Sequence, residues 1–373
     1  MGNRMGNKKN IMTDNVMDSA IKFGAGRYRQ GRGILEHCGQ EIRRFGKKAY
    51  IISGPRAFAA VKDRLLPGLA EAGLKYVIEI YDGVCSYEAA EDLGKKCLDA
   101  GCDEVVGIGG GVIMDLSKAV AAGTGLGAVN IPTSIATCAA FTAMSVMYTP
   151  QGAMKDNWRY EYETDGVYVD LDVVSGCPCR YASAGILDAM AKKIEMLNGS
   201  PAMEPDNAAF DLYTAYRMSE YAYDMLERYG RQAIEDIRQG IVTKAVEYVA
   251  FINIAVTGII SNITKSFNQS ALAHMIYYGI RTCFTRESKQ ALHGEIVAVG
   301  LFVQLHYNGL GGEMEDLKTF MGHLGMPLSL RELGVEETEE NLMILEQYLA
   351  DSPYVEKTAE GLGRLHEGLR KLV

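Results

Sequence analysis

The sequence lacks the long apolar runs of a membrane protein and the basic clusters of a nucleic-acid-binding protein. No uninterrupted apolar stretch reaches the roughly 18 residues that a membrane span needs. The chain carries 38 Lys and Arg against 47 Asp and Glu, and no segment concentrates the positive charge. We therefore expect neither a membrane nor a nucleic acid among its partners.

The amino-terminal segment also lacks the apolar core of a signal peptide. We expect residues 1–22 to form a flexible tail. The 8 Cys are scattered through 373 residues, a chain too large to need disulfides for stability. We therefore expect free thiols and a cytoplasmic location. Internal repeats and low-complexity segments are lacking as well.

What is present is a regular alternation of strand and helix patterns in the first half of the chain. Buried-looking strands are predicted at 49–53, 76–81, 105–108, 128–132 and 166–170, with helices from about 57 to 72 and 88 to 100. Such alternation predicts right-handed βαβ units and a doubly wound, mostly parallel, Rossmann-like sheet. We assign this α/β domain to residues 23–174. A further strand over 142–148 is followed by an expected exposed hairpin at 155–165.

From about Tyr181 onward the strand patterns disappear. Helices are predicted at about 181–197, 207–228, 231–248, 250–266, 268–280 and 292–306, and again over most of the last 60 residues. An all-helical second domain is therefore expected over residues 175–373.

A glycine turn at Gly109, Gly110 and Gly111 follows the strand 105–108 and opens into a helix. Glycines let backbone amides approach a ligand closely, and a helix N-terminus favours an anion such as a pyrophosphate. The spacing G-x-G-x-x-G is not met because position 112 is Val112. From these residues alone, a glycine turn without a ligand is an equal alternative.

Three residues of the helical half have the context of metal ligands. His274 lies among small apolar residues, His293 precedes an apolar helix, and Asp188 is a lone carboxylate in an apolar run. Two histidines, one carboxylate and an open fourth position describe a catalytic zinc site. Each residue taken alone is more often a satisfied core or capping residue than a metal ligand.

Five segments, in the same order along the chain, resemble the glycerol dehydrogenase branch of the iron-containing (metal-dependent) alcohol dehydrogenase superfamily. They are residues 107–119, 131–133, 143–149, 184–189 and 293–300. The resemblance implies a dehydroquinate synthase-like fold, in which a nucleotide-binding α/β domain and a helical metal domain face each other across a cleft. It also implies hydride transfer between NAD(P) and a small hydroxyl compound, and a homo-oligomer.

The resemblance assigns roles to individual residues. It makes Asp188, His274 and His293 both metal ligands and catalytic residues. Iron-type members have a fourth ligand, a His one turn after the Asp, and because that position is Lys192, zinc is favoured over iron. The implied cofactor-binding residues are Gly54, Gly109, Gly110, Gly111, Val112, Asp115, Thr133, Ala136, Thr142, Met144, Val146 and Tyr148.

Three positions depart from the family pattern. Cys138 stands where the family has a glycerol-contacting Asp, so we count it with the catalytic residues but expect a substrate other than glycerol. Gly54 replaces an Asp that binds the adenosine ribose, which allows NADP beside NAD, and Arg56 is close to it in sequence. Val112 replaces a frequent Lys. The substrate is expected to be another polyol, a hydroxyketone or a hydroxy acid.

Two questions stay open. Lys192 either faces the cleft and attracts an anionic substrate, or is a solvated or ion-paired lysine. The chain as a whole has two alternative interpretations besides the dehydrogenase: a lyase similar to 3-dehydroquinate synthase, and a nucleotide-binding relative without redox activity. Residues 135–148 hold no Lys or Arg for a sugar phosphate, which speaks against the lyase.

Overall fold

The computed structural model describes residues 21–265 and 269–373. The expectation of a flexible tail therefore lies almost entirely outside the described residues. The first part of the described chain builds one parallel sheet of six strands in the order β1-β8-β5-β4-β2-β3. Its strands are β1 (Arg27–Gly31), β2 (Lys48–Ser53), β3 (Lys75–Ile80), β4 (Glu104–Gly109), β5 (Gly127–Pro132) and β8 (Gly166–Asp170). The predicted doubly wound α/β fold is confirmed.

Both faces of the sheet are buried, because alternate residues of its central strands enter two different apolar clusters. In β2, Tyr50 and Ile52 join the large core, while Ala49 and Ile51 join a second cluster on the opposite face. Burial on both faces explains why these strands read as near-continuous apolar runs. The helices of this part are α1 (Gly39–Ile42), α2 (Pro55–Glu71), α3 (Tyr87–Asp99) and α4 (Gly111–Thr124).

The strand order reverses between β2 and β4. From β2 the chain first adds β3 on one side, and then crosses back to build β4 and β5 on the other side. A crevice opens at the carboxyl ends of the strands at such a switch point. Gly54 follows β2 and Gly110 follows β4, so the two predicted nucleotide-binding turns lie at this crevice.

A two-stranded antiparallel ribbon inserts between β5 and β8. It consists of β6 (Met144–Tyr148) and β7 (Met154–Arg159), in register from Met144 opposite Arg159. The expectation of an exposed hairpin over 155–165 was wrong for its first half. Residues 155–159 pair with β6, and Trp158 packs between Tyr87 and Tyr160 at ring distances of 5.4 and 5.1 Å.

The rest of the chain is helical, as predicted. Its helices are α5 (Leu171–Ser175), α6 (Cys179–Leu197), α7 (Phe210–Arg238), α8 (Lys244–Phe251), α9 (Thr257–Ile263), α10 (Leu272–Cys283), α11 (His293–Tyr307), α12 (Met314–His323), α13 (Glu339–Ala350) and α14 (Ala359–Leu369). We refer below to the sheet region (27–170) and the helical region (171–373). The predicted domain boundary at 174/175 remains a prediction.

One predicted break between helices needed correction. The break expected between 228 and 231 is absent, because α7 continues through Gly230 to Arg238, and the chain breaks instead before α8. Between α8 and α9 the backbone makes a π-helical turn, Ile252–Val256. This α8–π–α9 stretch, Lys244–Ile263, is long and apolar enough to cross a membrane by length and composition. Within the protein, 78% of the apolar segment of this stretch is buried, as is typical of a core helix.

Candidate metal and nucleotide site

Three helices bring the predicted metal ligands together. Asp188 lies in the middle of α6, His274 in the first turn of α10, and His293 is the first residue of α11. Asp188 Oδ1 lies 3.4 Å from His274 Nε2 and 3.5 Å from His293 Nε2. Within the described residues, this is the group of His, Cys, Asp and Glu side chains close enough to hold a metal ion.

The spacing of these donors fits a divalent cation. Ligand atoms of a tetrahedral zinc, each about 2.1 Å from the metal, lie roughly 3.4 Å from one another. Asp188 and His274 are buried, whereas His293 is half-buried. Two imidazoles and one carboxylate are the ligand types that zinc accepts. The residues present therefore fit the metal that the resemblance implies.

Close helix packing makes this arrangement possible. A Cβ on Gly294, next to His293, would lie 2.1 Å from the carbonyl oxygen of Ala184 on α6. A Cβ on Gly185 would lie 2.0 Å from the carbonyl oxygen of Ile135. Only glycine permits backbone contacts this short. The two glycines thus let α11 and the loop after β5 approach the helix that carries Asp188.

His274 is oriented by Glu195, a buried residue that the sequence analysis did not assign. His274 Nδ1 donates to Glu195 Oε2 at 2.5 Å, while Glu195 Oε1 accepts from the backbone N–H groups of Ala271 and His274. A carboxylate on Nδ1 fixes the imidazole ring and leaves the Nε2 lone pair for a metal. Burial works against the charged form of Glu195, but the interaction with His274 lowers the pKa of its carboxyl.

The position of His293 is set by two further contacts. Arg180 on α6 donates two hydrogen bonds to Glu295, at 2.5 and 2.6 Å, and Glu295 accepts from the backbone N–H of Leu292 at 2.7 Å. This arrangement ties the first turn of α11 to α6. The ring of Tyr277 meets the ring of His293 edge-on, with their centroids 4.3 Å apart.

Lys192 reaches into the same group. It lies one turn after Asp188 on α6 and is only 3% exposed. Its Nζ lies 3.4 Å from Asp188 Oδ1 and 3.3 Å from His274 Nε2. Burial disfavours the charge on Asp188, but the positive charge of Lys192, together with the neighbouring histidines, holds the pKa of Asp188 well below its usual range. The structure thus favours the ion-paired alternative over a lysine that faces a substrate.

The predicted nucleotide-binding turns present backbone groups toward the crevice. Gly110 is the N-cap of α4 and Gly111 its first residue, so their N–H groups and the next ones point out of the helix end. Val112, in the first turn, is 43% exposed. Gly54 caps α2 in an extended conformation, and Arg56 in its first turn is exposed. These features suit an anionic ligand.

The predicted cofactor residues of β6 share one face of the ribbon. Met144, Val146 and Tyr148 are half-buried, while the residues between them are buried in the core. The other predicted contacts, Thr133 and Ala136, are half-buried in the loop after β5. A period of two along a strand produces this division.

Asp115 and Thr142 are turned inward and not toward the crevice. The Asp115 carboxylate pairs with Lys118 at 3.1 Å and accepts from the backbone N–H of Val146 at 3.1 Å. Lys118 in turn donates to the carbonyl and hydroxyl oxygens of Thr142, at 2.9 and 3.3 Å. Both residues hold the ribbon against α4, and their predicted contact with the cofactor stays a prediction.

A chain of side-chain contacts joins the nucleotide face to the metal group. Tyr148 on β6 lies close enough to Tyr277 on α10 for the two hydroxyl groups to interact, and Tyr277 packs on His293. Two asparagines of the helical region also hold the loop after β5. Asn253, in the π-helical turn, donates to Ile135 O at 3.0 Å, and Asn262 accepts from Ala143 N at 3.0 Å.

Cys138 lies in this tethered loop, and the charge of Asp188 acts on its thiol. Burial, together with that negative charge, raises the pKa of Cys138 to about 12. The thiol is therefore neutral at pH 7 and brings no negative charge to the pocket. It cannot replace the acceptor that a carboxylate would supply for a polyol hydroxyl.

One residue that sequence reasoning missed, Glu195, had a signal in the sequence. Asp188, Lys192 and Glu195 are spaced i, i+4 and i+7, which places all three on one face of α6. Three charged residues on one face of an otherwise apolar helix predict a buried polar cluster. The roles of Arg180 and Tyr277 had no comparable signal, because both depend on contacts between helices that are distant in sequence.

Comparison with known proteins gives a consistent result. Residues 25–164 match the family model described as iron-containing alcohol dehydrogenase. A glycerol dehydrogenase of Thermotoga maritima is 30% identical over 333 residues, 87% of this chain and 88% of the relative. A glycolaldehyde reductase of Halobacterium salinarum is 29% identical over 318 residues, 84% of this chain and 85% of the relative. The crystal structure of a probable glycerol dehydrogenase from Sinorhizobium meliloti superimposes with a TM-score of 0.81 at 25% identity, covering 95% of this chain and 98% of that one.

Proposed function

The chain belongs to the iron-containing alcohol dehydrogenase family, and from this premise we propose that it is a metal-dependent oxidoreductase. It transfers hydride between a nicotinamide nucleotide and the CH–OH group of a small compound. The observation that carries the proposal is the group of Asp188, His274 and His293, with zinc-like spacing between their donor atoms. The Tyr148–Tyr277–His293 contacts connect this group to the face of β6 expected to line the nucleotide.

Each residue of the group has a definite task. Asp188, His274 and His293 hold the metal, Glu195 fixes the ring of His274, and Tyr277 limits the movement of His293. The bound metal supplies a Lewis acid for the substrate oxygen, and the nucleotide supplies the hydride acceptor or donor. The glycine turn at Gly110 provides backbone N–H groups for the nucleotide phosphates.

The substrate we propose is a small hydroxy compound other than glycerol: another polyol, a hydroxyketone or a hydroxy acid. The neutral thiol of Cys138 removes the acceptor for a second hydroxyl group. The likeness to a glycolaldehyde reductase supports a short hydroxylated carbonyl compound.

We propose zinc over iron, because Lys192 stands where a fourth His ligand would be. NAD is the proposed cofactor, and Gly54 with the exposed Arg56 leaves NADP acceptable. The same proposal includes a homo-oligomer in the cytoplasm, which light scattering and cell fractionation would test.

The test is a substrate panel with purified protein loaded in excess zinc. NADH and NADPH oxidation are measured with glycolaldehyde, hydroxyacetone, short ketones and 2-oxo acids, and glycerol oxidation is measured in the reverse direction. We expect one carbonyl class to be reduced, with glycerol a poor substrate. Asp188→Asn should lose at least about 100-fold in kcat, because it removes the anionic ligand. Asp92→Asn, an exposed change on α3, is the control.

Two results would contradict the proposal. If nucleotide binds but no carbonyl compound is reduced, the chain is a relative without redox activity. If Asp188→Asn is as active as the wild type, the three ligands do not form the reacting site.

A further inference from the structure

The Lys192 amine occupies a specific corner of the metal group. Its distances to Asp188 Oδ1 and His274 Nε2, 3.4 and 3.3 Å, match the 3.4 and 3.5 Å between the donors themselves. Nζ therefore lies at ligand-like distances from two of the three donors. A lysine ammonium, however, is a cation with three donors and no acceptor.

The hydrogen bonds of Lys192 use the lone pairs that a metal needs. His274 Nδ1 is engaged with Glu195, so Nε2 carries the single free lone pair of that ring. When Lys192 donates to Nε2, that lone pair cannot coordinate an ion. The same holds for the lone pair of Asp188 Oδ1 that faces Nζ. Ammonium and metal thus exclude each other at His274 Nε2, whereas at Asp188, whose carboxylate has further lone pairs, they compete for its negative charge.

The charges around Lys192 also favour competition between the ammonium and a metal ion. Two buried carboxylates, Asp188 and Glu195, act on the ammonium, and all three side chains are at most 6% exposed. Since buried charges are tolerated only when paired, the ammonium already neutralises part of this carboxylate cluster. A divalent ion entering beside it adds positive charge at short range, in a place that water does not screen.

We propose that Lys192 is an internal cation that competes with the divalent metal for Asp188 and His274. The proposal rests on the proposed metal site and specifies how that site is regulated. Wild-type protein binds zinc more weakly than a variant with a neutral side chain at position 192. The metal-free chain is a stable form, because its carboxylates are paired with the ammonium.

The experiment is a zinc titration by calorimetry, on protein freed of metal with a chelator. Lys192→Met keeps the length of the side chain and removes its charge. We expect its zinc dissociation constant to fall at least roughly tenfold below that of the wild type. Lys193→Met is the matched control: Lys193 lies on the same helix but over the ring of Tyr223, at 4.1 Å, and its removal should leave the constant unchanged.

A thermal unfolding series gives a second readout. The melting temperature of the wild type should rise from chelator to zinc by less than that of Lys192→Met, because its carboxylates are already paired. Lys192→Met should melt lower in chelator, because Asp188 then has no cation, and should recover in zinc. Lys192→Gln, a polar but uncharged variant, should behave in the same way. It replaces the Met variant in this experiment if that variant folds poorly without metal.

Unchanged or weaker zinc binding by both position-192 variants would overturn the competition and make Lys192 a packing residue or a ligand. That result leaves the metal site intact. If the wild type and all variants, including Asp188→Asn, fail to bind zinc, the metal part of the proposed function fails too. The two failures are therefore distinguishable without an activity assay.

Discussion

The sheet region and the helical region contribute to the site by different means. At the carboxyl end of β4, Gly110 and Gly111 offer backbone N–H groups, which the helix geometry points outward whatever side chains surround them. In the helical region, the binding atoms belong to side chains on α6, α10 and α11 that must be packed to within a few tenths of an ångström. A local motif can encode the first kind of site, whereas the second depends on how whole helices meet.

Within the sheet region, the two ends of strand β4 have different roles, one in stability and the other in function. Glu104 begins β4 at its amino end, opposite the glycine turn, and is fully buried with neither carboxylate oxygen hydrogen-bonded. Burial, together with the charges of Asp165 and Asp103, raises the pKa of Glu104 to about 8. Active residues collect at the other end of the strand, so this carboxyl should affect folding alone.

The largest expected effect is therefore on the pH dependence of folding. A carboxyl whose pKa is raised from 4.5 to about 8 destabilises the fold progressively as pH rises between these values. Glu104→Gln should be more stable than the wild type at pH 9 by on the order of a few kcal/mol, with a much smaller difference at pH 5. Urea unfolding at both pH values measures this, with the exposed Glu91→Gln as control. A difference that did not change with pH would contradict the argument.

The next effect tests how tightly the helical region is packed. Gly294→Ala places a Cβ against the Ala184 carbonyl of α6, so α11 must shift and carry His293 with it. We expect a loss of about 1–3 kcal/mol in unfolding free energy and a marked loss of zinc binding. Gly322→Ala on α12, where the new Cβ meets nothing, should be neutral or slightly stabilising. If both variants behaved alike, packing at Gly294 would not set the position of His293.

A smaller effect should follow from Glu195→Gln. The amide keeps the shape of the side chain but loses the charge that fixes His274, so zinc affinity should fall roughly 10–100-fold. Nucleotide affinity, which depends on the sheet region, should stay the same. Glu227→Gln, an exposed change on α7, provides the baseline. Equal losses of zinc and nucleotide affinity would mean that the two regions are not separable in this way.

The smallest effect is expected at the glycine turn. In Gly111→Ala the new Cβ would lie 3.2 Å from Thr137 Oγ1, a side-chain atom that can move, so the fold should be kept. NADH affinity, measured by fluorescence titration, should drop roughly tenfold because the backbone is held away from the phosphates. Gly123→Ala, at an open position of the same helix, should leave it unchanged. Zinc affinity should be unaffected in both variants.

Much of the fold could be predicted because strand and helix periods are local properties. The strands from β2 to β5, the start of α11 at His293 and the glycine turn all agree with the sequence patterns. The errors lie where tertiary contacts decide. Residues 155–159 are polar enough to suggest an exposed hairpin, yet they pair with β6 and bury part of Trp158. The helix α7 runs through Gly230, whose side without a Cβ fits against Ile186 and Phe320.

By itself, the sequence determined the two-part architecture, the strand–glycine–helix turn and the three residue types suited to a metal. Hydrophobic periodicity and glycine spacing act over a few residues, which is why they can be read along the chain. Only the tertiary structure decided that Asp188, His274 and His293 meet, that Glu195 orients His274, and that the Lys192 ammonium lies against the same donors. These contacts join helices that are distant along the chain, and their distances follow from helix packing.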